Sequence, residues 1–221
     1  IMARIIISCY SLKIMIIFDF DGTIADTISL GIKIVNDHAD KYKYNRLDRE
    51  SNGHLSATKL IKRIEVNPLK LPYLMFLLRK KLGERASEIQ IFPGIKDIFE
   101  ELKTSGHKLG IITSNSTKNV SDFLKRNEIE SYFSYIRTKV AIFGKKKALI
   151  KAKKILKTNF LYVGDEIRDI EACKKSNTPI VCVSWGLNSA QGLESHNPGL
   201  VANTPEQALS LIKNSIQKMQ M

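Results

Sequence analysis

Short apolar runs alternate with segments of helical periodicity over most of the chain, and this alternation restricts the fold more than any other feature. Four runs have the length of strands rather than helices: Ile14 to Phe18, Leu109 to Ile112, Phe160 to Val163 and Ile180 to Val183. Between them, apolar residues recur at steps of three and four, as in an amphipathic helix. Strands that alternate with helices form a parallel sheet covered on both faces. The sequence therefore predicts an α/β fold with a doubly wound parallel sheet; only the stretch Tyr132 to Phe143 is ambiguous.

An insertion of helical character separates the first of these strands from the second. Residues 26–91 show apolar stripes at helical spacing, are punctuated by Pro68 and Pro72, and contain no convincing strand. We therefore expect a core of residues 14–25 and 92–221 and a helical insertion of residues 26–91. Residues 1–13 form an N-terminal extension whose status the sequence leaves open.

The N-terminal apolar segment and the cysteines bear on the cellular compartment. Polar residues interrupt this segment, its apolar stretches are far shorter than the roughly 20 residues of a membrane-spanning helix, and no small-residue cleavage site precedes Asp19. Cys9, Cys173 and Cys182 are odd in number and widely spaced, which favours neither a disulfide framework nor a zinc site. We expect a cytoplasmic protein without a membrane partner.

The chain is strongly basic. It has 35 Lys and Arg residues against 22 Asp and Glu residues, a formal net charge of +13. This imbalance favours anionic partners, among them phosphorylated metabolites, nucleic acid and acidic lipid. A polyanion-binding module is one class that fits, supported by the lysine-dense segment Lys145 to Lys157. That segment carries no interleaved aromatic residues for base stacking, so nucleic acid is the less favoured partner.

Two carboxylates follow the first predicted strand, in the segment Asp19-Phe20-Asp21-Gly22-Thr23. In an open parallel sheet, ligands bind beyond the carboxyl ends of the strands. Residues two apart on an extended segment point the same way, so Asp19 and Asp21 can share one substrate. A turn that merely ends a strand is the alternative reading of this segment taken alone.

The later strands also end in polar residues. The second strand ends at Thr113-Ser114-Asn115, and the run from Phe160 ends at Gly164-Asp165 with Asp169 one turn into the next helix. Between them lies Gly144 followed by the lysines 145–147. Each segment alone also fits an ordinary helix cap, a strand-to-helix turn or a solvated helix start. Their common position at strand ends favours one shared site.

Taken in this order, the four segments resemble the four motifs of the haloacid dehalogenase superfamily. The helical insertion resembles the cap of the branch that includes phosphoglycolate phosphatase. The resemblance covers nearly the whole chain from Ile14 onward. It implies a Rossmann-like core with an inserted α-helical cap, and a magnesium-dependent phosphatase that hydrolyses a phosphomonoester of a small metabolite.

The resemblance also implies roles in the reaction. Asp19 would be the nucleophile that forms an aspartyl-phosphate, and Asp21 would protonate the leaving oxygen and then activate water. Thr113 and Lys145 would hold the transferring phosphoryl group. Positioning and neutralisation of charge supply most of the catalysis in phosphoryl transfer, which suits a hydroxyl and an ammonium.

Mg²⁺ is the cofactor that the resemblance implies. Asp19, Asp165 and the main-chain carbonyl of Asp21 would coordinate it, and Asp169 would support this set of ligands. Hard oxygen ligands of this kind suit magnesium, which also takes oxygens from water and substrate.

Further side chains are expected at the substrate. The predicted substrate contacts are Gly22, Thr23, Ser114, Asn115 and His54. His54 belongs to a polar segment of the cap that could face the leaving group, and a solvated loop between helices is the alternative. The remaining histidines, at positions 38, 107 and 196, have no partners at catalytic or metal spacing and are expected at the surface.

Several alternatives stay open. Three consecutive lysines make the phosphate-binding lysine ambiguous; Lys145 ranks first because it follows Gly144, although the superfamily often has a proline where Lys146 stands. Dehalogenases of the superfamily need neither a proton-shuttling residue nor a metal, so Asp21, Asp165 and Asp169 argue against that activity. A sugar phosphomutase or a nucleotide phosphatase of the same superfamily fits the motifs too. The oligomeric state cannot be read from the sequence.

Overall fold

The computed structural model of the protein describes residues 13–47, 65, 67–141 and 144–220. In this part of the chain six strands form one sheet. They are β1 (Met15–Phe18), β2 (Lys108–Ile112), β3 (Phe133–Arg137), β4 (Phe160–Gly164), β5 (Ile180–Val183) and β6 (Val201–Ala202). The four predicted strands are confirmed. β3 lies in the ambiguous stretch, and β6 was not predicted because two residues leave no periodicity.

Helices connect these strands. α1 (Thr27–Tyr42), α2 (Leu71–Glu84) and α3 (Ile95–Thr104) lie between β1 and β2. The later connections and the end of the chain hold α4 (Thr117–Arg126), α5 (Lys145–Leu156), α6 (Ile167–Lys175), α7 (Ala190–Glu194) and α8 (Pro205–Gln220). Short 3₁₀ helices cover Pro68–Lys70, Ala86–Glu88 and Glu130–Tyr132. Among the described helices, none has the length and apolar character needed to span a bilayer.

The strand order places a crevice at the middle of the sheet. The order is β3-β2-β1-β4-β5-β6, and every neighbouring pair is parallel. The chain adds β2 and β3 on one side of β1 and then continues on the other side with β4. The loops after β1 and β4 therefore diverge to opposite faces, which leaves a ligand-binding crevice between them. This arrangement confirms the predicted doubly wound α/β fold.

Burial of both sheet faces explains why the sequences of β1 and β5 are continuously apolar. All four residues of β1 are buried; Ile16 and Phe18 point to one face, and Met15 and Ile17 to the other. The first face packs against α3, α4 and α8, and the second against α5, α6 and α7. Because strand side chains alternate in direction, a sheet covered twice needs apolar residues at every position.

The insertion leaves and re-enters the core through paired linkers. Ala25 and Ile91 form an antiparallel bridge, and the N–H of Asp26 donates to the carbonyl of Gln90 at 2.9 Å. Asp26 also caps α1, since its carboxylate accepts the N–H of Ser29. α1 and α2 pack together beyond these linkers. The two ends of the insertion therefore meet at one point of the core.

The surface position expected for His107 was wrong. His107 directly follows the turn that leads into β2 and is 9% exposed, and its Nδ1 accepts the N–H of Ile14 at 3.2 Å. Burial lowers the pKa of this imidazole. Cys173 and Cys182 are buried free thiols, whereas Cys9 lies outside the described residues.

Candidate active site

The loop after β1 presents the first carboxylate inside the crevice. The backbone N–H of Asp19 donates to the carbonyl of Val163 at 2.8 Å, so the pairing of β1 with β4 continues to this residue. The Asp19 Oδ1 accepts the N–H of Phe20 at 2.8 Å. The carbonyl of Phe20 then accepts the N–H of Ile24 at 3.0 Å. Gly22 turns the chain with a φ of 75°, a conformation that strains other residues.

Three buried carboxylates meet at this point. Asp19, Asp165 and Asp169 have oxygens within 4.8 Å of one another, and all three residues are buried. They come from the ends of β1 and β4 and from the first turn of α6. At the start of α6, the Oδ2 of Asp169 accepts the backbone N–H of Glu166. The predicted site therefore joins segments that lie far apart in the sequence.

Lys145 neutralises part of this negative charge. Its ammonium donates to Asp19 and to Oδ1 of Asp169, the latter at 2.5 Å. Burial alone would lower the pKa of Lys145, but the carboxylates of Asp169 and Asp19 outweigh it and hold that pKa well above its ordinary value. Burial raises the pKa of Asp19 to about 7, against the lowering effect of the lysine.

The structure distinguishes the three consecutive lysines. Lys145 is buried, whereas Lys146 and Lys147 are exposed. The buried residues of α5 are Lys145, Ala148, Leu149 and Ala152. These positions form one helical stripe that faces the sheet. Lys145 is thus the lysine that the helix turns into the crevice.

Two glycines, Gly22 and Gly186, lie so close to the carboxylate of Asp165 that neither position has room for a side chain. A Cβ added to Gly22 would lie 2.2 Å from Oδ2 of Asp165, and one added to Gly186 would lie 2.1 Å from the same oxygen. Its Oδ1 accepts the hydroxyl of Thr23 at 2.8 Å, and its Oδ2 accepts the N–H of Leu187 at 2.7 Å. Burial, followed by the negative charge of Glu166, raises the pKa of Asp165 well above its usual range.

The donor set fits a hard divalent cation. Within the described part of the chain, the three carboxylates of the cluster form ion pairs with one ammonium, that of Lys145, so negative charge is in excess in a buried site. Buried charges need compensation by a partner or a metal ion. Oxygen ligands of this type are those that magnesium prefers. The residues Asp19, Asp165 and Asp169 therefore suit Mg²⁺.

Asp21 lies beside this cluster and closer to solvent. It is half-buried. Its Oδ1 accepts a hydrogen bond from Nδ2 of Asn115 at 2.9 Å, and the hydroxyl of Thr113 approaches its Oδ2 at 3.4 Å. Burial raises the pKa of Asp21. A carboxyl with a raised pKa and access to the crevice can give and take a proton.

The family of the chain follows from a comparison of its sequence. The pattern of the family described as "Haloacid dehalogenase-like hydrolase" matches residues 16–183. The chain belongs to this family. It is therefore an enzyme of the hydrolase class, as the motifs predicted.

Individual members of the haloacid dehalogenase-like hydrolases resemble the chain along nearly its whole length. A phosphoglycolate phosphatase of Synechococcus elongatus is 32% identical over 203 residues, which cover 89% of this chain and 96% of that protein. A pyrophosphatase PpaX of Bacillus mycoides is 25% identical and covers 89% of this chain and 95% of that protein. A haloacid dehalogenase-like family protein from Streptococcus pneumoniae shares the fold with a TM-score of 0.74, at 22% identity, and covers 90% of this chain and 97% of that chain.

Among the substrate contacts expected in this haloacid dehalogenase-like hydrolase, several have other partners. Thr23 is completely buried and its hydroxyl donates to Asp165. Asn115 donates to Asp21. Ser114 is exposed at the rim of the crevice and stays a predicted contact. His54 lies outside the described residues.

Two aromatic residues at the site were missed from the sequence. The indole N–H of Trp185 donates to the carbonyl of Thr23 at 3.2 Å, and its ring lies 6.3 Å from that of Phe92. The ring of Tyr162 lies 5.4 Å from the ammonium of Lys145. Trp185 follows the end of β5, so the rule that strand ends meet at one edge could have found it. Tyr162 lies within a strand and gave no such signal.

Proposed function

We propose that this haloacid dehalogenase-like hydrolase is a magnesium-dependent phosphatase that acts on a phosphomonoester of a small metabolite. The observation that carries the proposal is the buried cluster of Asp19, Asp165 and Asp169 with Lys145, at the crevice of the sheet. The phosphoglycolate phosphatase at 32% identity supports it, because the two chains match over nearly their full lengths.

In the first half of the reaction, Asp19 attacks phosphorus through a carboxylate oxygen. A new P–O bond forms on Asp19, the bond from phosphorus to the ester oxygen breaks, and an aspartyl-phosphate results. Asp21 gives its proton to the departing oxygen. Burial raises the pKa of Asp21, which favours the protonated form that this step needs.

In the second half, water attacks the phosphorus of the aspartyl-phosphate. Asp21, now ionised, accepts a proton from that water while the bond between phosphorus and the Asp19 oxygen breaks. Orthophosphate leaves and both carboxyl groups return to their starting states. The hydrogen bond from Asn115 and the nearby hydroxyl of Thr113 keep Asp21 directed at the reacting oxygen in both halves.

Positive charge stabilises the transferring group. Lys145 brings an ammonium next to Asp19, where the phosphoryl oxygens would lie. Asp19, Asp165 and the main-chain carbonyl of Asp21 would hold Mg²⁺, with Asp169 in support, and the ion would supply further positive charge to the phosphoryl oxygens. Neutralisation of this kind provides most of the rate enhancement in phosphoryl transfer.

The helical insertion would act as the cap that selects the substrate. We propose residues 14–25 and 92–221 as the catalytic core and residues 26–91 as the cap. The paired linkers at Ala25 and Ile91 support this division, because they are the joint between the two parts. His54 stays a residue that is predicted to contact the leaving group.

Phosphate release from a panel of substrates tests the proposal. The panel contains phosphoglycolate, pyrophosphate, glucose 1-phosphate, nucleoside monophosphates and p-nitrophenyl phosphate, each assayed with magnesium. Asp19→Asn removes the nucleophile and should reduce release to background. Asp97→Asn is the matched control, since Asp97 is exposed on α3 and should keep full activity.

The outcomes of the panel distinguish between the candidate functions. Metal-dependent phosphate release that Asp19→Asn abolishes supports the phosphatase, and preference for nucleotides would assign the nucleotide phosphatase. Conversion of glucose 1-phosphate to its isomer without phosphate release would assign the phosphomutase. Absence of turnover, together with salt-dependent binding of mixed-sequence DNA, would replace the proposal with a polyanion-binding module.

A further inference from the structure

Tyr162 places a polar aromatic side chain in the middle of a fully buried strand. All residues of β4 are buried, and Tyr162 has no exposed surface. Its hydroxyl donates to the carbonyl of Ile112, the last residue of β2, at 3.3 Å. A buried tyrosine hydroxyl needs such a partner, which an aliphatic residue at this position would not. The hydrogen bond anchors the Tyr162 side chain across β1, from β4 to the last residue of β2, immediately before Thr113.

The ring lies directly under the ammonium of Lys145. The distance from Nζ to the ring centroid is 5.4 Å, within the range of cation–π attraction. Gly164 leaves space for this arrangement, because a Cβ there would lie 3.0 Å from Cε1 of Tyr162 and 2.5 Å from Oδ2 of Asp169. The ring and the carboxylates therefore contact the same ammonium.

We propose that Tyr162 is a positioning residue whose ring holds the Lys145 ammonium in the crevice throughout the reaction. The expected effect on turnover rests on the proposed function. The contact between the Tyr162 ring and the Lys145 ammonium rests on the geometry alone. A lysine side chain is a flexible stem with a compact charge, so its position depends on what surrounds the ammonium.

Chemistry at Asp19 removes one of the two carboxylate contacts of the ammonium and leaves the contacts with Asp169 and the ring. Once Asp19 carries the phosphoryl group, its oxygen is bonded to phosphorus and no longer offers the carboxylate that Lys145 contacts in the free protein. The attraction of the Tyr162 ring does not change during the cycle. Desolvation strengthens a cation–π contact, and both Tyr162 and Lys145 are buried. The ring, together with Asp169, is thus a partner that the ammonium keeps while Asp19 changes state.

Three variants test the proposal through turnover. Tyr162→Leu removes the ring, and Tyr162→Phe keeps the ring but loses the hydroxyl. Phe160→Leu is the matched control: Phe160 is buried on the same strand and the same sheet face, and its ring lies 6.0 Å from Lys153, which is outside the site. We expect Tyr162→Leu to lower kcat at least about tenfold. Tyr162→Phe should restore kcat to within about threefold of wild type, and Phe160→Leu should leave it unchanged.

A second measurement does not depend on activity. Reductive methylation followed by peptide mass spectrometry gives the reactivity of Lys145 relative to the exposed Lys146. A buried, ion-paired amine reacts slowly, so Lys145 should become more reactive in Tyr162→Leu and stay protected in Tyr162→Phe and Phe160→Leu. Thermal unfolding of each variant shows that it is folded under the assay conditions. If Tyr162→Leu does not fold, Tyr162→Met replaces it, because the longer, unbranched side chain adapts better to the space that the ring leaves.

The outcomes separate the two proposals. Equal losses of kcat in Tyr162→Leu and Phe160→Leu, or unchanged protection of Lys145 in folded Tyr162→Leu, would overturn the role of Tyr162. If wild-type protein releases phosphate from no substrate, the proposed function fails, and the methylation of Lys145 still decides whether Tyr162 positions it.

Discussion

Replacing Lys145 by methionine should destabilise the protein far more than the same change at Lys146. Methionine keeps most of the aliphatic stem of lysine and removes the ammonium. Lys145 is 5% exposed and its ammonium contacts two buried carboxylates, those of Asp19 and Asp169. Lys146, the next residue of α5, is exposed.

The magnitude follows from the burial of the ion pairs. Removal of one partner of a buried pair leaves an uncompensated charge and costs about 3–5 kcal/mol of unfolding free energy. In chains of this size, 1 kcal/mol lowers Tm by about 2–4 °C, so the loss corresponds to roughly 6–20 °C. Lys146→Met should leave Tm unchanged, because surface substitutions away from such features have small effects.

Urea unfolding in EDTA measures the difference, since no divalent cation can then replace the ammonium. Fluorescence of Trp185, the single tryptophan of the chain, reports the transition. Magnesium should recover part of the stability of Lys145→Met by binding the carboxylates that the lysine no longer neutralises. Equal unfolding free energies for Lys145→Met and Lys146→Met would refute the buried ion pairs.

Four further outcomes are expected. Asp21→Asn should turn over about 10² to 10⁴ times more slowly than wild type. It should still form a phosphoenzyme with a substrate that has a good leaving group; rapid-quench mass spectrometry locates the label, and a label on residue 21 of the wild-type enzyme would contradict the mechanism. EDTA should abolish phosphate release and excess magnesium should restore it, so undiminished turnover in EDTA would remove the metal from the proposal. Burial raises the pKa of Asp19 from 3.8 to about 7, so at this group the folded protein binds more protons than the unfolded chain in that window. The contribution of Asp19 to stability in EDTA, measured as the difference in Tm between wild type and Asp19→Asn, should therefore fall as the pH rises from 3.8 to about 7, and a contribution that increases over this range would be the opposite result. Gly22→Ala should cost about 1–3 kcal/mol in urea unfolding, because it adds backbone strain beside Asp165; wild-type stability in this variant would show that the turn tolerates a side chain.

The sheet and the position of the site were predictable because both depend on local patterns. A strand buried on both faces must be apolar at every position, so runs such as Ile14 to Phe18 stand out in the sequence. The residues after these runs reach the same edge in a parallel sheet. Asp19 and Asp165 could therefore be assigned to one site before any contact was known.

The burial of Lys145 and its contact with the ring of Tyr162 depend on long-range packing. Residue type alone does not distinguish the lysines at positions 145–147, and the rotation of α5 against the sheet turns Lys145 inward. The stripe of Ala148, Leu149 and Ala152 contains that information, since position 145 continues it one turn earlier. No local pattern reports that Tyr162 lies under Lys145, because the contact joins a strand to a preceding helix by tertiary packing.

The bridge between Ala25 and Ile91 places the two ends of the insertion side by side, so the insertion could be removed or exchanged as one segment. A segment whose ends are adjacent can be lengthened, shortened or exchanged without rerouting the rest of the chain. A tight turn that joins Ala25 directly to Ile91 would keep every strand of the sheet and every carboxylate of the crevice in the same polypeptide. On the proposed role of the insertion as a cap, grafting a different insertion at this junction should give a hydrolase with the same candidate reactive centre and a different substrate range.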